Sequence, residues 1–490
     1  MTKTKTFYKI SKKYFFLILL ISISFSSCKN ETQKNNTLIT KEIENYMKQT
    51  IENHEIPGLA VAIIQDNKTL YKNYFGSSTI EKKEPIKSSS IFPLYSTTKL
   101  ITSVAIFQLI EQEKLNLNDT ISKYLKNLPE QWNSIQIKHL LSHSSGIPDY
   151  VKYSSDLSNE EMIKRLAEDE MEFAKGNEYR YNQTNFWLLA QIIEKITDKT
   201  YEDFVIKNQF NSNANSLIFS SNTSEVFPNK VPVYSYNRKK KKFEIPTFIN
   251  GKRAHAANGI NITLENIVTW NLQLDANKLL KPNTKSLMWS PFNFTNGTDN
   301  FLSGWSITHV NDIPSYGFSG GNVSAIRKFP NQNTTIILLT NGYKIPAYDI
   351  IINDLARITI PELKSKNYAL EENVVELIGN KKYKQALDTF KKLKTENAKL
   401  NFFNLKMAVN TSGNIALNNN DFINAMEAFK INSKIYPEWW VSYAGMAESY
   451  ENLNEKSNAV LNYEKAILLN KSYTNYNTFM KSRVTEIKNN

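Results

Sequence analysis

A chain of 490 residues with 41% hydrophobic and 12% aromatic residues is long enough for two or three domains and too apolar to be disordered. Its formal charge of +13 invites a nucleic-acid partner, but Lys3, Lys5, Lys9, Lys12 and Lys13 crowd the first thirteen residues and no nucleic-acid-binding motif accompanies the remainder, so that class is set aside. The single cysteine, Cys28, excludes an intrachain disulfide.

In chain order, the lysine-rich start is followed by an apolar run from Tyr14 to Phe25 and then by Ser26, Ser27 and Cys28. That order predicts a secretory leader over residues 1–27, with an apolar centre too short for an ordinary membrane span. Small residues directly before a lone cysteine resemble a bacterial lipobox, although Phe25 stands where leucine is usual. The resemblance implies cleavage before Cys28 and a diacylglycerol on its sulfur. Such a protein is extracytoplasmic, held on a membrane surface by its acyl chains and not spanning it. Residues 28–38 are polar and read as a tether. The alternative is a soluble secreted protein with an incidental cysteine.

Over residues 39–362 helical and strand periods mix. "GLAVAIIQD" and "KTLYKNYFG" read as a β-hairpin, and "GWSITHV", "NVSAIRKFP" and "TTIILLTNG" as three later strands. A mostly helical section separates the two sets, which predicts an α+β domain: a mainly antiparallel sheet beside a helical subdomain. The basic run Arg238–Lys242, between "VPVYSY" and "FEIPTFI", reads as a solvated hairpin turn.

From 363 to 490 strands vanish. "NAMEAFKINSKIYP" from Asn424 is echoed 34 residues later by "NAVLNYEKAILLNK" from Asn458, aligning Ala425 with Ala459 and Phe429 with Tyr463. Ala386 and Phe390 occupy the same points in an earlier unit, and Tyr443, Met446, Ala447 and Tyr450 fit the first helix of the last one. This pattern resembles tetratricopeptide repeats, which implies an all-α domain that recruits a protein partner or serves as a structural cap.

The stretch "FPLYSTTKL" places Ser96 and Lys99 at the start of an apolar run. Leu100, Val104 and Phe107 recur at helical spacing, and Ile101, Ala105 and Leu109 cover a second face, so the helix is predicted to be buried. Lys99 lies one turn beyond Ser96 on the same side. A serine near a helix N-terminus is favoured as developing negative charge appears, and a lysine in a dry pocket has its pKa lowered enough to accept a proton.

In order, "IPGLAVAIIQDNKTLYKNYFG", "STTK", "LNLNDTISKYL" and "IKHLLSHSSGIPDY" closely resemble the serine β-lactamase and penicillin-binding-protein superfamily. The likeness is strongest to its branch of class C β-lactamases, D-alanyl-D-alanine peptidases and esterases. It implies a β-lactamase/transpeptidase-like fold and an acyl-serine mechanism with no cofactor and no metal. The family's second motif, Tyr-x-Asn, falls on Tyr181 and Gln183, and its third, Lys-Thr-Gly or His-Thr-Gly on a strand, falls on Phe318, Ser319 and Gly320. By resemblance Ser96, Lys99 and Tyr181 are catalytic, while the backbone N–H groups of Ser96 and Gly321 form the oxyanion hole. Gln183, Phe318, Ser319 and Gly320 then meet the substrate. A phenyl ring at 318 cannot bind a substrate carboxylate as a cation does. An ester or uncharged amide is therefore expected ahead of a penicillin or a D-alanyl terminus.

His255 reads as bordering the cleft, where with Arg253 it could replace the lost cation; the alternative, and the favoured one, is a surface role. His139 and His143 have the i, i+4 spacing of zinc ligands, but no Glu follows His139 and no third ligand stands out nearby, so no metal site is expected; the resemblance implies that this stretch is structural packing before a turn. The competing expectation is a non-catalytic, ligand-binding protein that uses its helical repeats to recruit a partner.

Overall fold

The computed structural model describes residues 36–489 apart from 211–216, 238–239, 297–300, 311–312, 346–347, 364–365, 397–401 and 471–473. The leader, Cys28, Arg238 and all of the expected tether before residue 36 lie outside the described residues. Among the described residues no helix is long and apolar enough to cross a membrane. The chain forms two compact units divided after Glu52, and the described part of the first is helical.

The second unit contains every strand among the described residues. These are β1 (Gly58–Gln65), β2 (Lys68–Thr79), β3 (Glu84–Pro85), β4 (Ile91–Pro93), β5 (Leu217–Phe219), β6 (Ser235–Asn237), β7 (Lys242–Glu244), β8 (Ile260–Thr263), β9 (Ser306–Val310), β10 (Ile313–Gly320), β11 (Ser324–Phe329) and β12 (Thr334–Thr340). Seven of them form one sheet in the order β3-β2-β1-β12-β11-β10-β9, with neighbours antiparallel. β1 and β12 close the domain by pairing Leu59 with Thr340 through Gln65 with Thr334. Covered on both faces, these central strands are apolar without alternation. β2 is half exposed along its length, as an outer position demands.

The hairpin and the three later strands stand where the sequence puts them. The small sheet β4-β8-β5 is additional. Its strands are only three or four residues long, too short to show a period. It matters because β4 runs directly into the turn that carries Ser96, and the Leu94 amide is held by the Ile260 carbonyl at 2.8 Å. β6 and β7 pair as the hairpin expected around the basic run, with Lys240 and Lys242 lying 2.9 and 3.6 Å from Glu244.

The helix Thr98–Glu111 is buried without interruption from Thr98 to Leu109, as its two apolar faces predict. Its polar members are bonded, as burial requires: Thr102 donates to the Ala256 carbonyl at 2.7 Å and Ser103 to that of Ser303 at 2.5 Å. The helices Gln183–Thr197 and Tyr201–Gln209 share its core.

Beyond residue 365 the regular elements of the described residues are all helices: Lys366–Gly379, Tyr383–Glu396, Phe403–Asn418, Phe422–Ile435, Trp440–Asn452, Lys456–Leu469 and Thr474–Asn489. In place of one large core there is a succession of small ones, each shared by neighbouring helices. Phe422–Ile435 and Lys456–Leu469 are offset by 34 residues at both ends (456 − 422 and 469 − 435). Ala386, Ala425 and Ala459 are buried at the helix contacts, and Phe429 lies against Gly413 and Gly445 of the flanking helices.

Candidate active site

Ser96 sits in a tight turn, Tyr95–Thr97, between β4 and the buried helix. Tyr95 adopts a left-handed backbone (φ 44°), a conformation a tyrosine holds only when its surroundings enforce it. Two contacts provide that enforcement. The Ser324 hydroxyl of β11 donates to the Leu94 carbonyl at 2.5 Å and meets the Thr97 hydroxyl at 2.9 Å. Gly320 of β10 lies so close that a Cβ there would stand 2.0 Å from the Leu94 oxygen and 2.7 Å from the Ser96 nitrogen, which only glycine permits.

Tyr181 arrives from the opposite side. It directly precedes the helix Gln183–Thr197, whose N-terminus is sewn to the loop of residues 144–150. Asn182 accepts the Asn185 amide at 3.2 Å as cap and donates to the Ile147 carbonyl. Thr184 donates to the Pro148 carbonyl at 2.9 Å and accepts the Tyr150 amide at 2.9 Å. Asp149 accepts the Gln183 amide at 3.0 Å and the Val151 amide at 3.3 Å.

The result is a linear hydrogen-bond relay. The Tyr181 hydroxyl donates to Ser96 Oγ at 2.6 Å, and Lys99 Nζ donates to the Tyr181 oxygen at 2.6 Å. The tyrosine therefore stands between the serine and the lysine that the sequence sets side by side. Lys99 also donates to Gln183 Oε1 and to the Ala257 carbonyl, each at 2.9 Å. Three donors meet three acceptors, the full complement of an ammonium. Two of those acceptors can only accept, so a neutral amine keeps its two N–H bonds to them and turns its lone pair to the phenol.

The electrostatics suit a proton relay. Complete burial brings the Lys99 pKa down to about 7, opposed by the charge of Asp149. Burial pushes the Tyr181 phenol up to about 12, with its hydrogen bonding to Ser96 and Gln183 acting against it. The lysine thus changes charge near neutrality while the phenol stays protonated there.

Phe318 is buried on β10 with its ring stacked on Tyr181, centroids 5.9 Å apart and planes at 27°. The same ring lies 5.9 Å from Lys99 Nζ. Alternation along β10 turns Ser319 to the other face, where it accepts from the Arg327 guanidinium at 3.5 Å, a contact with β11 beneath the strand. Gln183, assigned to substrate by resemblance, has its amide oxygen on Lys99.

Arg253 and His255 do not replace the missing cation beside Phe318. Arg253 is bound to the carbonyls of Leu157 and Ser155 and stacks over Trp187, while His255 pairs with Glu202 at 2.6 Å. His139 accepts the Gln136 amide at 3.1 Å and caps its own helix, with burial pulling its pKa to about 4. His143 is buried against Tyr181 at 4.8 Å between ring centroids and accepts the Asn182 amide at 3.2 Å. Sequence reasoning missed two members of the site: the Ala257 carbonyl, which no side-chain pattern marks, and Asp149.

An antiparallel sheet with a Ser-Tyr-Lys cluster at its junction with a helical subdomain defines the β-lactamase and transpeptidase class of folds. Residues 43–359 match the Beta-lactamase family, more than half of the chain, and the protein belongs to that family. Among its relatives, penicillin-binding protein 4* of Bacillus subtilis is 24% identical over 342 residues, 63% of this chain and 73% of the relative. Protein flp of Staphylococcus aureus is 26% identical over 174 residues, 34% of this chain; the match spans only 35% of flp. The structure of EstCE1, a hydrolase with promiscuous acyltransferase activity, aligns with a TM-score of 0.55 over 65% of this chain and 98% of its own, at 19% identity, a likeness of fold.

Proposed function

We propose that this protein is a lipid-anchored serine hydrolase that cleaves an ester, or an amide lacking a neighbouring carboxylate, through an acyl-serine intermediate. The observation that carries the substrate preference is the Phe318 ring stacked on Tyr181, where relatives by resemblance carry a cation. A dry aromatic wall favours an uncharged acyl group and offers a carboxylate nothing to pair with.

Ser96 Oγ attacks the carbonyl carbon while its proton passes to Tyr181 and the phenol's own proton to the neutral amine of Lys99. The Ser96 and Gly321 N–H groups stabilise the oxyanion, an effect of about 3 kcal/mol per donor. On collapse the alcohol or amine leaves with the proton returned through the same relay. Water then repeats the sequence on the acyl-serine and releases the acid. The intact relay of 2.6 Å contacts also speaks for turnover over mere ligand binding.

The lipid anchor at Cys28 and an extracytoplasmic location rest on the leader pattern, and a protein partner for the helical region rests on its repeat-like spacing. The domain limits follow the same reading: leader 1–27, tether 28–38, hydrolase 39–362, tetratricopeptide-like repeats 363–490. The test compares kcat/KM for p-nitrophenyl acetate and butyrate with that for nitrocefin and a D-alanyl-D-alanine peptide. Ester turnover at least a hundredfold ahead is expected; rapid nitrocefin turnover would overturn the role given to Phe318. Radiolabelled palmitate should enter the protein and be lost in Cys28→Ser.

A further inference from the structure

Asp149 takes no part in the relay, yet it is half-buried, and among the described residues no lysine or arginine lies within ion-pair distance of it. Its carboxylate accepts the Gln183 and Val151 amides at 3.0 and 3.3 Å, with the Thr184 amide nearby. Capping alone does not account for a carboxylate, since Asn or Ser caps as well and buries no charge. Gln183, whose main chain Asp149 holds, presents Oε1 to Lys99 at 2.9 Å. The carboxylate is therefore linked to the lysine through one residue, Gln183.

We propose that Asp149 is a positioning residue for acyl transfer: it fixes Gln183 against Lys99, and its negative charge stabilises the ammonium that forms each time Lys99 takes the Tyr181 proton as Ser96 attacks. This rests on the serine hydrolase reading above. The other titratable and charged groups around the pair leave the assignment in place. His143 is held neutral by burial, and Tyr181 and Tyr150 stay protonated, their phenols pushed up by burial. Glu172 is engaged with Arg180 at 3.6 Å. Arg253 faces the Tyr150 ring at 5.9 Å and is bound to loop carbonyls. Asp149 is the carboxylate whose charge acts on Lys99.

The test uses the full-length protein and two readouts: the pH dependence of Ser96 labelling by a fluorophosphonate, and that of ester kcat/KM. In Asp149→Asn the caps persist and the charge is gone, so the acid limb of both profiles should move down by about one pH unit or more. The plateau should fall about tenfold, because the ammonium formed in the transfer has lost its counter-charge. Asp149→Glu should return the limb to its wild-type position. A limb unmoved in Asp149→Asn, with only the melting temperature lowered, would overturn the proposal and leave Asp149 a cap. If the asparagine variant does not fold, Gln183→Met decides: it removes the link to Lys99 and should lower kcat about tenfold with KM nearly constant, and an unchanged kcat refutes the proposal. A wild type that takes no label at Ser96 would refute both this inference and the function it rests on, whereas a labelled wild type with the limb unmoved in Asp149→Asn refutes this inference alone.

Discussion

Phe318→Lys restores the cation that relatives carry by resemblance, and its consequences can be worked from the site. The Phe318 ring centroid is 5.9 Å from Lys99 Nζ. A second ammonium at about that distance repels the first by ~3 kcal/mol at an effective dielectric near 20. That lowers the lysine pKa by roughly two units, from about 7. The stacking on Tyr181 is also lost, about 1 kcal/mol, and a new buried charge must be desolvated. Ester hydrolysis should therefore keep its mechanism with an acid limb displaced to lower pH, while carboxylate-bearing substrates gain a partner. The assay is kcat/KM against pH for p-nitrophenyl acetate and nitrocefin in parallel. The ratio of nitrocefin to ester turnover should rise at least tenfold. An unchanged ratio refutes Phe318 as the selector, and an unmoved acid limb refutes Lys99 as the base.

Three further predictions follow from the same geometry. Tyr181→Phe removes the oxygen that joins Ser96 to Lys99 and leaves one lysine N–H unpaired; activity should drop about 10²–10⁴-fold with a stability loss of about 1–3 kcal/mol by urea unfolding. Because the Lys99 pKa falls from 10.5 to about 7 on folding, the unfolded chain binds the extra proton between those values. Stability should therefore rise with pH from about 7 towards 10. Chemical denaturation of wild type and Lys99→Met should show that rise in the wild type and a smaller one in the variant. Gly320→Ala drives a methyl group into the Leu94 oxygen and the Ser96 nitrogen. It should cost about 1–3 kcal/mol and displace the nucleophile, read as a kcat loss far greater than the change in melting temperature.

The legible parts of this protein share one property: their physical signal is local. The apolar period of residues 100–109 gives a buried helix, and the apolar segments of β1 and β12 give the centre of a sheet, because burial is written into consecutive residues. Ser96, Lys99 and Tyr181 become a site through motif resemblance, and the structure adds their order, with the phenol in the middle. What escaped the sequence is what depends on distant contacts. Asp149 meets Gln183 across 34 residues of chain, and nothing in "SGIPDY" distinguishes it from a surface aspartate. Gln183 could face substrate or lysine until the helix carrying it is placed. Ser319 and Phe318 are adjacent yet serve opposite faces of β10, so a three-residue motif divides between the cleft and the Arg327 contact. The three-stranded sheet β4-β8-β5 stayed hidden because strands so short carry no period.

The claim on which the rest depends is that Ser96 forms the acyl-enzyme. Rapid quenching of the full-length protein with a p-nitrophenyl ester, followed by peptide mass spectrometry, measures it directly. One acyl group on the peptide containing Ser96, absent from Ser96→Ala while that variant remains folded, is the expected result. Full ester turnover with no adduct on Ser96, or the acyl group on another residue, would contradict it.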